Sequence, residues 1–479
     1  MEPQSVFNFF GEICKIPRES KHEEKIIAYL QKFAQERSLE CKTDEAGNVL
    51  IIRPASEGYE TAPTVILQSH SDMVCEKNSD SNHNFDTDPI NYVIEDGWMI
   101  AKETTLGADC GIGIAAQLAI LDDKILKLPK IEALFTVDEE TGLTGAMSLK
   151  PGFITGKYLI NLDSEDEGEI FIGCAGGIDT TARFEYSPYK LSGDKEILKV
   201  KYFGLTGGHS GDDINKNRAN ANQLLARYLF LINEKFGLDL CKIDGGNKRN
   251  AIAREAVAII AIPSGKKAEA TQMFSELLAD MKAEYSVSEP NLGGSIESAD
   301  FNGNCIEKSV ADKLILALNA SLHGVLAMSQ DIENFVETST NLASIKMDED
   351  KCVITVCTSQ RSSLNSARFN SANRMEALFR LAGAKVTHES QYPGWKPNLN
   401  SKLLIVGRES YKELFGTEPV VRAIHAGLEC GLFLDTYPDL DMISFGPTLR
   451  GVHAPGERLE ISTVDKFWKL LIDILKRVK

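Results

Sequence analysis

The sequence has no long apolar run and no excess of basic residues. No stretch approaches the roughly 20 apolar residues that cross a bilayer. Against 69 Asp and Glu stand 52 Lys and Arg, so the 479-residue chain carries a net charge of −17. Phosphate backbones and anionic membrane surfaces repel a chain this acidic. We therefore expect no nucleic-acid partner and no membrane partner, and small-molecule substrates fit better.

Signs of secretion and of a thiolate metal site are also absent. The N-terminus, MEPQSVFNFFGEI, has neither a basic region nor a small-residue cleavage site, so we expect a cytoplasmic protein. The ten cysteines are scattered without a C-x-x-C pair, which favours reduced thiols over a disulfide framework. The hydrophobic content of 43% is ordinary for a globular chain of two or three domains.

Two kinds of strand pattern divide the chain. The apolar runs 64–68, 131–137 and 158–162 are continuous and alternate with helical patterns. They predict an α/β domain with a mostly parallel, mixed sheet between helices. From residue 178 the strands alternate apolar and polar residues, which predicts an α+β domain with an antiparallel sheet. We predict one domain made of residues 1–177 and 392–479 and a second domain, residues 178–391, inserted into it.

Helical periodicity predicts the elements between these strands. Ser20 and Glu23 form a capping-box pattern that would open an amphipathic helix. The glycine-rich phrase TLGADCGIG leads into an apolar helix that continues to Leu121. Further helices are predicted at 218–236, 268–284, 307–322, 371–381 and 403–415, and at the C-terminus.

Acidic residues and histidines follow directly after the buried strands. Residues 135–140 read FTVDEE, residues 65–72 read VILQSHSD, and residues 158–167 read YLINLDSEDE. In parallel sheets, ligand sites lie beyond the carboxyl ends of the strands. Carboxylates gathered there raise one another's pKa unless a cation lies among them. The pattern predicts a metal site rather than a network of ion pairs.

Five short motifs together resemble those of the dinuclear zinc aminopeptidase and aminoacylase family. Within that family, longer phrases such as CAGGID, GGHSG, YPGW and IHAGLECGLF resemble bacterial dipeptidases, and the resemblance runs from about residue 7 to the C-terminus. The five motifs are His70-Ser-Asp72, Gly107-Ala-Asp109, Glu139-Glu140, Asn161-Leu-Asp163 and Gly451-Val-His453.

The resemblance implies a metal-ligand set. His70 and Asp163 would hold one metal, Glu140 and His453 the other, and Asp109 would bridge the two. The chemistry agrees, because two imidazoles and three carboxylates satisfy two divalent cations and leave a shared position for water. Zinc is the expected metal, with cobalt or manganese as alternatives. Such a pair lowers the pKa of the water and polarises a scissile carbonyl.

Two further acidic residues complete the predicted centre. Glu139 is adjacent to a ligand yet free, so we expect it to accept the proton of the attacking water and to protonate the leaving amine. Asp72 lies two residues from His70, on the same side of an extended segment, and is expected to bind the other ring nitrogen. Taken alone, His70 could be an ordinary histidine and Asp109 a helix cap. Cys110 is a minor alternative ligand.

The inserted domain supplies the remaining candidates. His209 lies in the glycine-rich loop TGGHSG, and in the resembled family this histidine stabilises the oxyanion; the alternative is a turn histidine. The resemblance also implies substrate-binding roles for Asn250 and for Arg361, whose guanidinium would grip a carboxylate. Arg374 is the alternative arginine. His425, Gly427 and Glu429 are expected to line the pocket, although a core position for His425 fits nearly as well.

These observations predict a cytoplasmic metallodipeptidase. We expect it to hydrolyse unblocked dipeptides, Xaa-His among them, by attack of a metal-bridging hydroxide with Glu139 as the base. The resemblance implies that residues 1–177 and 392–479 form the catalytic metallopeptidase domain and that the inserted residues 178–391 form a lid domain. We expect a homodimer formed through the lid domain. The alternatives are an N-acyl amino acid deacylase or carboxypeptidase on the same scaffold, and a catalytically silent peptide-binding relative.

Overall fold

The chain folds into two compact units, which we call the first and the second unit. The computed structural model describes residues 1–479. The first unit comprises Met1–Cys174, Trp395–Ala423 and Leu428–Lys479, and the second comprises Ala175–Gly394 and Ile424–Gly427. The predicted boundaries, 177/178 and 391/392, lie three residues from those of the units, and residues 424–427, predicted in the domain of the two chain ends, lie in the second unit. The lid role of the second unit stays a prediction.

Helices and strands alternate along most of the chain. The helices are α1 (Gln4–Ile13), α2 (Glu24–Glu36), α3 (Ala108–Asp122), α4 (Glu139–Gly142), α5 (Thr144–Ser148), α6 (Ala221–Phe236), α7 (Lys267–Glu284), α8 (Lys308–Ala320), α9 (Asn365–Leu381), α10 (Lys402–Phe415), α11 (Glu429–Thr436) and α12 (Ile461–Arg477). The strands are β1 (Glu40–Thr43), β2 (Val49–Arg53), β3 (Val65–His70), β4 (Tyr92–Glu95), β5 (Trp98–Ala101), β6 (Ile131–Thr136), β7 (Tyr158–Asn161), β8 (Glu169–Cys174), β9 (Gly176–Glu185), β10 (Pro188–Tyr189), β11 (Lys195–Phe203), β12 (Gly208–His209), β13 (Asp239–Gly245), β14 (Ala251–Ile252), β15 (Ala256–Pro263), β16 (Gly293–Ser298), β17 (Cys305–Ile306), β18 (Gly324–Met328), β19 (Val336–Asp348), β20 (Val353–Ser362), β21 (Lys385–Tyr392), β22 (Val420–Ile424), β23 (Asp441–Ser444), β24 (Leu449–Arg450) and β25 (Arg458–Glu460). No helix is both long enough and apolar enough to span a membrane.

The first unit is built on a mixed eight-stranded sheet, ordered β1-β2-β6-β3-β7-β23-β8-β22. Its centre is parallel, because β3 pairs in parallel with both β6 and β7, and β7 with β23. The flanking pairs of β1 with β2, β2 with β6, and β23 with β8 are antiparallel. Strands β3 and β6 are buried along their whole length. The prediction of a mixed α/β sheet is confirmed.

A second, four-stranded sheet completes the first unit. Its order is β24-β25-β5-β4, and its pairs are antiparallel. The short loop between β24 and β25 carries His453. Apolar side chains of α1, α2, α3 and strands of both sheets form a core of this unit. Phe10, Leu30, Ile114 and Phe135 are fully buried in it.

The second unit is an α+β layer, as predicted. Its nine-stranded sheet follows the order β16-β11-β15-β13-β19-β20-β9-β21, and β18 pairs with β19. Every pair is antiparallel. In β11, Leu198, Val200 and Tyr202 are buried, whereas Lys199 is exposed, so one face of the strand packs against the core. Helices α6 to α9 supply the rest of that core.

Two local predictions are corrected by the structure. Cys241 of β13 and Cys305 of β17 form a disulfide across 64 residues of sequence, so the expectation of reduced thiols holds only for the other eight cysteines. Packing of two distant strands creates this pair, which the cysteine spacing does not reveal. Ser20 makes no cap for α2, which has no side-chain cap. Its hydroxyl instead donates to Asp72 Oδ2 at 2.7 Å.

Candidate metal centre

The predicted ligands lie at one edge of the central sheet of the first unit. His70 is the last residue of β3 and stands in register with Thr136, the last residue of β6. Glu139 and Glu140 follow β6 at the start of α4, and Asp163 follows β7 by two residues. The carboxyl ends of parallel neighbours meet at the same edge of a sheet. The strand register therefore brings these side chains together.

Asp109 stands between the two histidines. Its Oδ1 lies 3.0 Å from His70 Nε2, and its Oδ2 lies 3.1 Å from His453 Nε2. His70 Nε2 is also 3.2 Å from Asp163 Oδ1, and His453 Nε2 is 3.0 Å from Glu140 Oε2. Each imidazole thus faces one carboxylate of its own and one oxygen of the shared Asp109. The five side chains therefore form a site of two halves, one of His70 and Asp163 and the other of His453 and Glu140, with Asp109 shared between them.

This donor set fits a pair of divalent cations. Hydrogen bonds donated by His453 to Asp109 and Glu140 raise the pKa of His453 to about 11. Burial, with the charge of Asp109 added, raises the pKa of Asp163 to about 7 although His70 opposes it. The raised pKa of His453 indicates that this group of carboxylates favours positive charge, which divalent cations would supply. Glu140 Oε1 is buried without a hydrogen-bond partner, which leaves a carboxylate oxygen for a ligand to satisfy.

Asp72 lies behind His70 and organises the Glu139-Glu140 turn. Its Oδ1 is 3.3 Å from His70 Nδ1. The backbone N–H groups of Glu139 and Glu140 donate to its two oxygens at 3.1 and 3.2 Å. Burial alone would raise its pKa, but the hydrogen bond and charge of His70 outweigh burial and lower it to about 2. The side chain of Asp72 thus lies on the Nδ1 side of the His70 ring, and Nε2 of the ring faces the other carboxylates.

Glu139 has no hydrogen bond to its side chain. Only its backbone is held, through the N–H bond to Asp72. Burial raises its pKa well above the usual range, and the carboxylates Asp163, Glu429 and Glu140 raise it further, with the charge of His70 opposing. A carboxylate whose pKa is raised is a stronger base than an exposed one. Bound cations would lower that pKa again, because they neutralise the surrounding charge.

Neighbouring acidic and thiol groups are occupied elsewhere. The two oxygens of Asp138 accept hydrogen bonds from the hydroxyls of Thr141 and Thr144. Cys110, His70 and Asp163 offer donor atoms within 4.8 Å of one another. The Cys110 thiol donates to Leu162 O at 3.3 Å, and burial raises its pKa well above the usual value.

Three buried polar groups lie around the centre: Arg18 and Glu457, which no sequence motif indicated, and Glu429, which was predicted to line the pocket. Arg18, 2% exposed, donates to the carbonyls of Ser71, Asp72 and Gly107. Glu429 Oε2 accepts from Gln68 Nε2 at 2.6 Å and from Thr136 Oγ1 at 2.8 Å. Burial raises its pKa to about 8, with Asp163 and Asp72 adding to the rise and His70 and Thr136 opposing it. Glu457 caps the loop before Asp109.

His209 and its neighbours form a separate cluster in the second unit. His209 ends β12, which pairs with β14, and its backbone N–H donates to Asp213 Oδ2 at 2.8 Å. Its Nδ1 lies 3.2 Å from Asp212 Oδ2. Ser210 N donates to Asn250 O at 2.8 Å, so the loops of His209 and Asn250 are joined.

The other candidates of the second unit surround this loop. A Cβ on Gly211 would lie 2.2 Å from His425 O, so only glycine fits there. His425 Nε2 and the hydroxyl of Ser339 are 2.7 Å apart, and Ser339 pairs with Arg361 across β19 and β20.

Arg361 is buried, donates from Nη1 to the hydroxyl of Tyr392 at 3.2 Å, and leaves Nε without a partner. A Cβ on Gly427 would contact the ring of Tyr392 at 3.0 Å. Burial lowers the pKa of His425 to about 3, with the charge of Arg361 adding to the effect. His425 is therefore neutral. Arg374, the alternative arginine, is exposed on α9.

A mixed sheet with two histidines around one shared carboxylate at its carboxyl edge, joined to an antiparallel α+β unit, is the architecture of a metal-dependent peptidase. The chain belongs to peptidase family M20/M25/M40, whose model matches residues 66–477. The predictions of a peptide hydrolase and of this family are confirmed.

Two relatives match the whole chain. The cytosol non-specific dipeptidase of Escherichia coli (strain K12) is 39% identical over 482 aligned residues, which cover 100% of this chain and 98% of that protein. The crystal structure of aminoacylhistidine dipeptidase from Vibrio alginolyticus superimposes with a TM-score of 0.94 at 39% identity, covering 100% of this chain and 97% of the other. A Staphylococcus aureus tripeptidase, at 18% identity and a TM-score of 0.57, shares the fold.

Proposed function

We propose that this protein is a dinuclear metal-dependent dipeptidase that hydrolyses unblocked dipeptides. The observation that carries the proposal is the shared Asp109, with one oxygen 3.0 Å from His70 Nε2 and the other 3.1 Å from His453 Nε2. His70, Asp109 and Asp163 would hold one ion, and Asp109, Glu140 and His453 the other. Zinc suits this set of imidazole and carboxylate donors, and cobalt or manganese would also fit it.

The chemistry divides between the bound ions and the side chains of the chain. Two divalent cations held by these residues would supply Lewis acidity, which would activate a water and polarise a scissile carbonyl. Glu139, whose carboxylate has no competing hydrogen bond, takes the proton from the attacking water and later gives it to the leaving amine. Asp72 holds the ring of His70 in place throughout.

Dipeptides are proposed as substrates because both full-length relatives are named as dipeptidases. The second unit supports this proposal through Arg361, since a free dipeptide carries a carboxylate at its C-terminus. The buried guanidinium has an unpartnered Nε and only a neutral hydroxyl on Nη1. A guanidinium binds a carboxylate by two parallel hydrogen bonds. We propose that Arg361 binds this group, with Asn250, His425 and Gly427 beside it, and that His209 stabilises the oxyanion.

Replacing Arg361 by lysine should raise KM for a dipeptide at least about 10-fold, because a point charge cannot make the paired hydrogen bonds of a guanidinium. The change in kcat should be smaller. Steady-state kinetics on Ala-His would measure both. Arg374→Lys is the matched control, since this arginine is exposed on α9. Equal KM values for the two variants would remove Arg361 from the substrate site.

A substrate panel with metal removal tests the function as a whole. Purified protein should hydrolyse free dipeptides, Xaa-His among them, and should act poorly on N-blocked dipeptides and acetylated amino acids. Chelation should abolish turnover, and zinc, cobalt or manganese added singly should restore it. Preferred cleavage of acetylated amino acids would favour a deacylase, and preferred cleavage of N-blocked dipeptides would favour a carboxypeptidase. Failure to bind metal would favour a catalytically silent peptide-binding protein.

Two further predictions accompany this function. The name of the Escherichia coli relative places that protein in the cytosol, and we propose the same location here.

A homodimer formed through the second unit also stays a prediction. Light scattering of the purified chain would measure its mass in solution against the 52.7 kDa of one copy.

A further inference from the structure

One buried carboxylate holds the backbone that leads to the shared Asp109. Glu457 is 2% exposed, and its Oε2 accepts hydrogen bonds from Leu106 N at 2.7 Å and Gly107 N at 3.0 Å. Its Oε1 accepts from Ala108 N at 2.8 Å and lies 3.5 Å from Asp109 N. Four successive N–H groups therefore point at a single side chain. Such a concave array of backbone donors is a site for an anion, and here the protein supplies the anion itself.

The same loop is held from its other side by a cation. Arg18 donates from Nη2 to the carbonyl of Gly107, whose N–H is bound by Glu457. Gly107 has φ +67°, and a Cβ there would lie 2.6 Å from Arg18 Nη2, so only glycine fits between the two charged groups. The Gly107–Ala108 peptide is thus held by the Glu457 carboxylate at its N–H and by the Arg18 guanidinium at its carbonyl.

Glu457 also belongs to the segment that carries His453. The two residues are four apart in sequence, and Glu457 N donates to Ala454 O at 3.1 Å. Gly456 N donates to Thr104 O at 3.0 Å, and Ala101 N donates to Glu457 O at 3.0 Å. Backbone and side-chain bonds therefore join the 101–109 segment to the 453–458 segment. The distance between Asp109 and His453 depends on these hydrogen bonds between the two segments.

We propose that Glu457 is a positioning residue of the metal centre: it aligns the Asp109 loop with the His453 loop, so that Asp109 presents one oxygen to each half. This inference rests on the proposed metal site. Loss of Glu457 would let the Asp109 backbone move relative to His453, and the half formed by Glu140 and His453 would lose its bridging oxygen. Groups that orient metal ligands typically change metal affinity 10- to 100-fold, roughly, when they are altered.

The test is metal binding by Glu457→Gln, measured with zinc alone against a chromophoric chelator. Glutamine keeps the shape but turns an NH2 group toward backbone N–H donors that need an acceptor. We expect the affinity for the weaker of two zinc ions to fall at least about 10-fold. The kcat measured at low free zinc should fall, and excess zinc should restore it. KM for the dipeptide should change little, because Glu457 does not touch substrate.

Glu132→Gln is the matched control. Glu132 is 1% exposed in the same unit and accepts from the backbone N–H groups of Thr155 and Gly156 at 2.7 and 3.1 Å. It lies at the start of β6, away from the carboxyl edge of the sheet. We expect this variant to lose thermal stability at most, with unchanged zinc affinity. Equal losses of zinc affinity in both variants would overturn the proposal, as would wild-type affinity in Glu457→Gln.

A second variant covers the case in which Glu457→Gln does not fold. Glu457→Asp keeps the charge but shortens the side chain by one methylene, so it withdraws the carboxylate from Leu106 N and Ala108 N. It should lower zinc affinity in a folded protein, and unchanged affinity would contradict the alignment role. Wild-type protein that binds no zinc would instead contradict the proposed function, so the two failures are distinguishable.

Discussion

Glu139→Gln should bind metal as the wild type does and lose about 10³-fold in kcat. Positioned general bases contribute roughly 10²- to 10⁴-fold, and the Glu139 carboxylate is the one acid at the centre that is free of hydrogen bonds and is not proposed as a ligand. Glutamine has the same shape but cannot accept the proton of the attacking water. The loss corresponds to about 4 kcal/mol of activation free energy.

Turnover of a dipeptide and metal content by elemental analysis should be measured on the same preparation. Glu45→Gln is the control, because Glu45 is an exposed residue of the same unit whose carboxylate pairs only with Lys150. Near-normal turnover in Glu139→Gln would refute its role as the base. Lost metal in that variant would instead make Glu139 a ligand.

Asp109→Ala should lose metal from both halves of the centre. The two oxygens of Asp109 face different imidazoles, so its removal deprives each ion of a donor at once. We expect bound metal to fall from about two ions per chain to fewer than one, with activity lower by at least about 10³-fold. Elemental analysis after gel filtration at low free metal would measure the loss. His70→Ala should have a smaller direct effect, because it removes a donor from one half only.

Asp163→Ala and Glu140→Ala are the comparison variants. Each removes a carboxylate from one half, since Asp163 Oδ1 lies near His70 and Glu140 Oε2 near His453. Both should keep about one ion per chain. If Asp109→Ala kept as much metal as either of them, Asp109 would not be the bridge.

Much of this centre was predictable from strand patterns and short motifs. Continuous apolar runs predicted buried parallel strands, and residues placed just after such strands must meet at one edge of the sheet. His70, Glu140 and Asp163 follow this rule. The division between a mixed sheet and an antiparallel α+β layer was also predictable, because the strands of the second unit alternate in hydrophobicity.

Other features had no sequence signal. Ser20 reads as a helix cap, yet its hydroxyl binds Asp72, because the loop before α2 passes close to the end of β3. The pairing of Cys241 with Cys305 depends on packing between two strands of the second unit. Residues 424–427 lie in the second unit, although the phrase that contains them continues into the first.

The sequence by itself determined the chemistry of this protein: the inventory of imidazoles and carboxylates, their positions after buried strands, and the family to which the chain belongs. The place of Asp109 between the two histidines was already implied by the resemblance, and the structure supplies its distances. Tertiary structure alone decided that Glu457, 349 residues beyond Ala108, binds the loop before Asp109. The physical reason is that hydrophobic periodicity is a local property of the chain. Convergence of side chains from distant loops depends on how those loops pack, which no local pattern records.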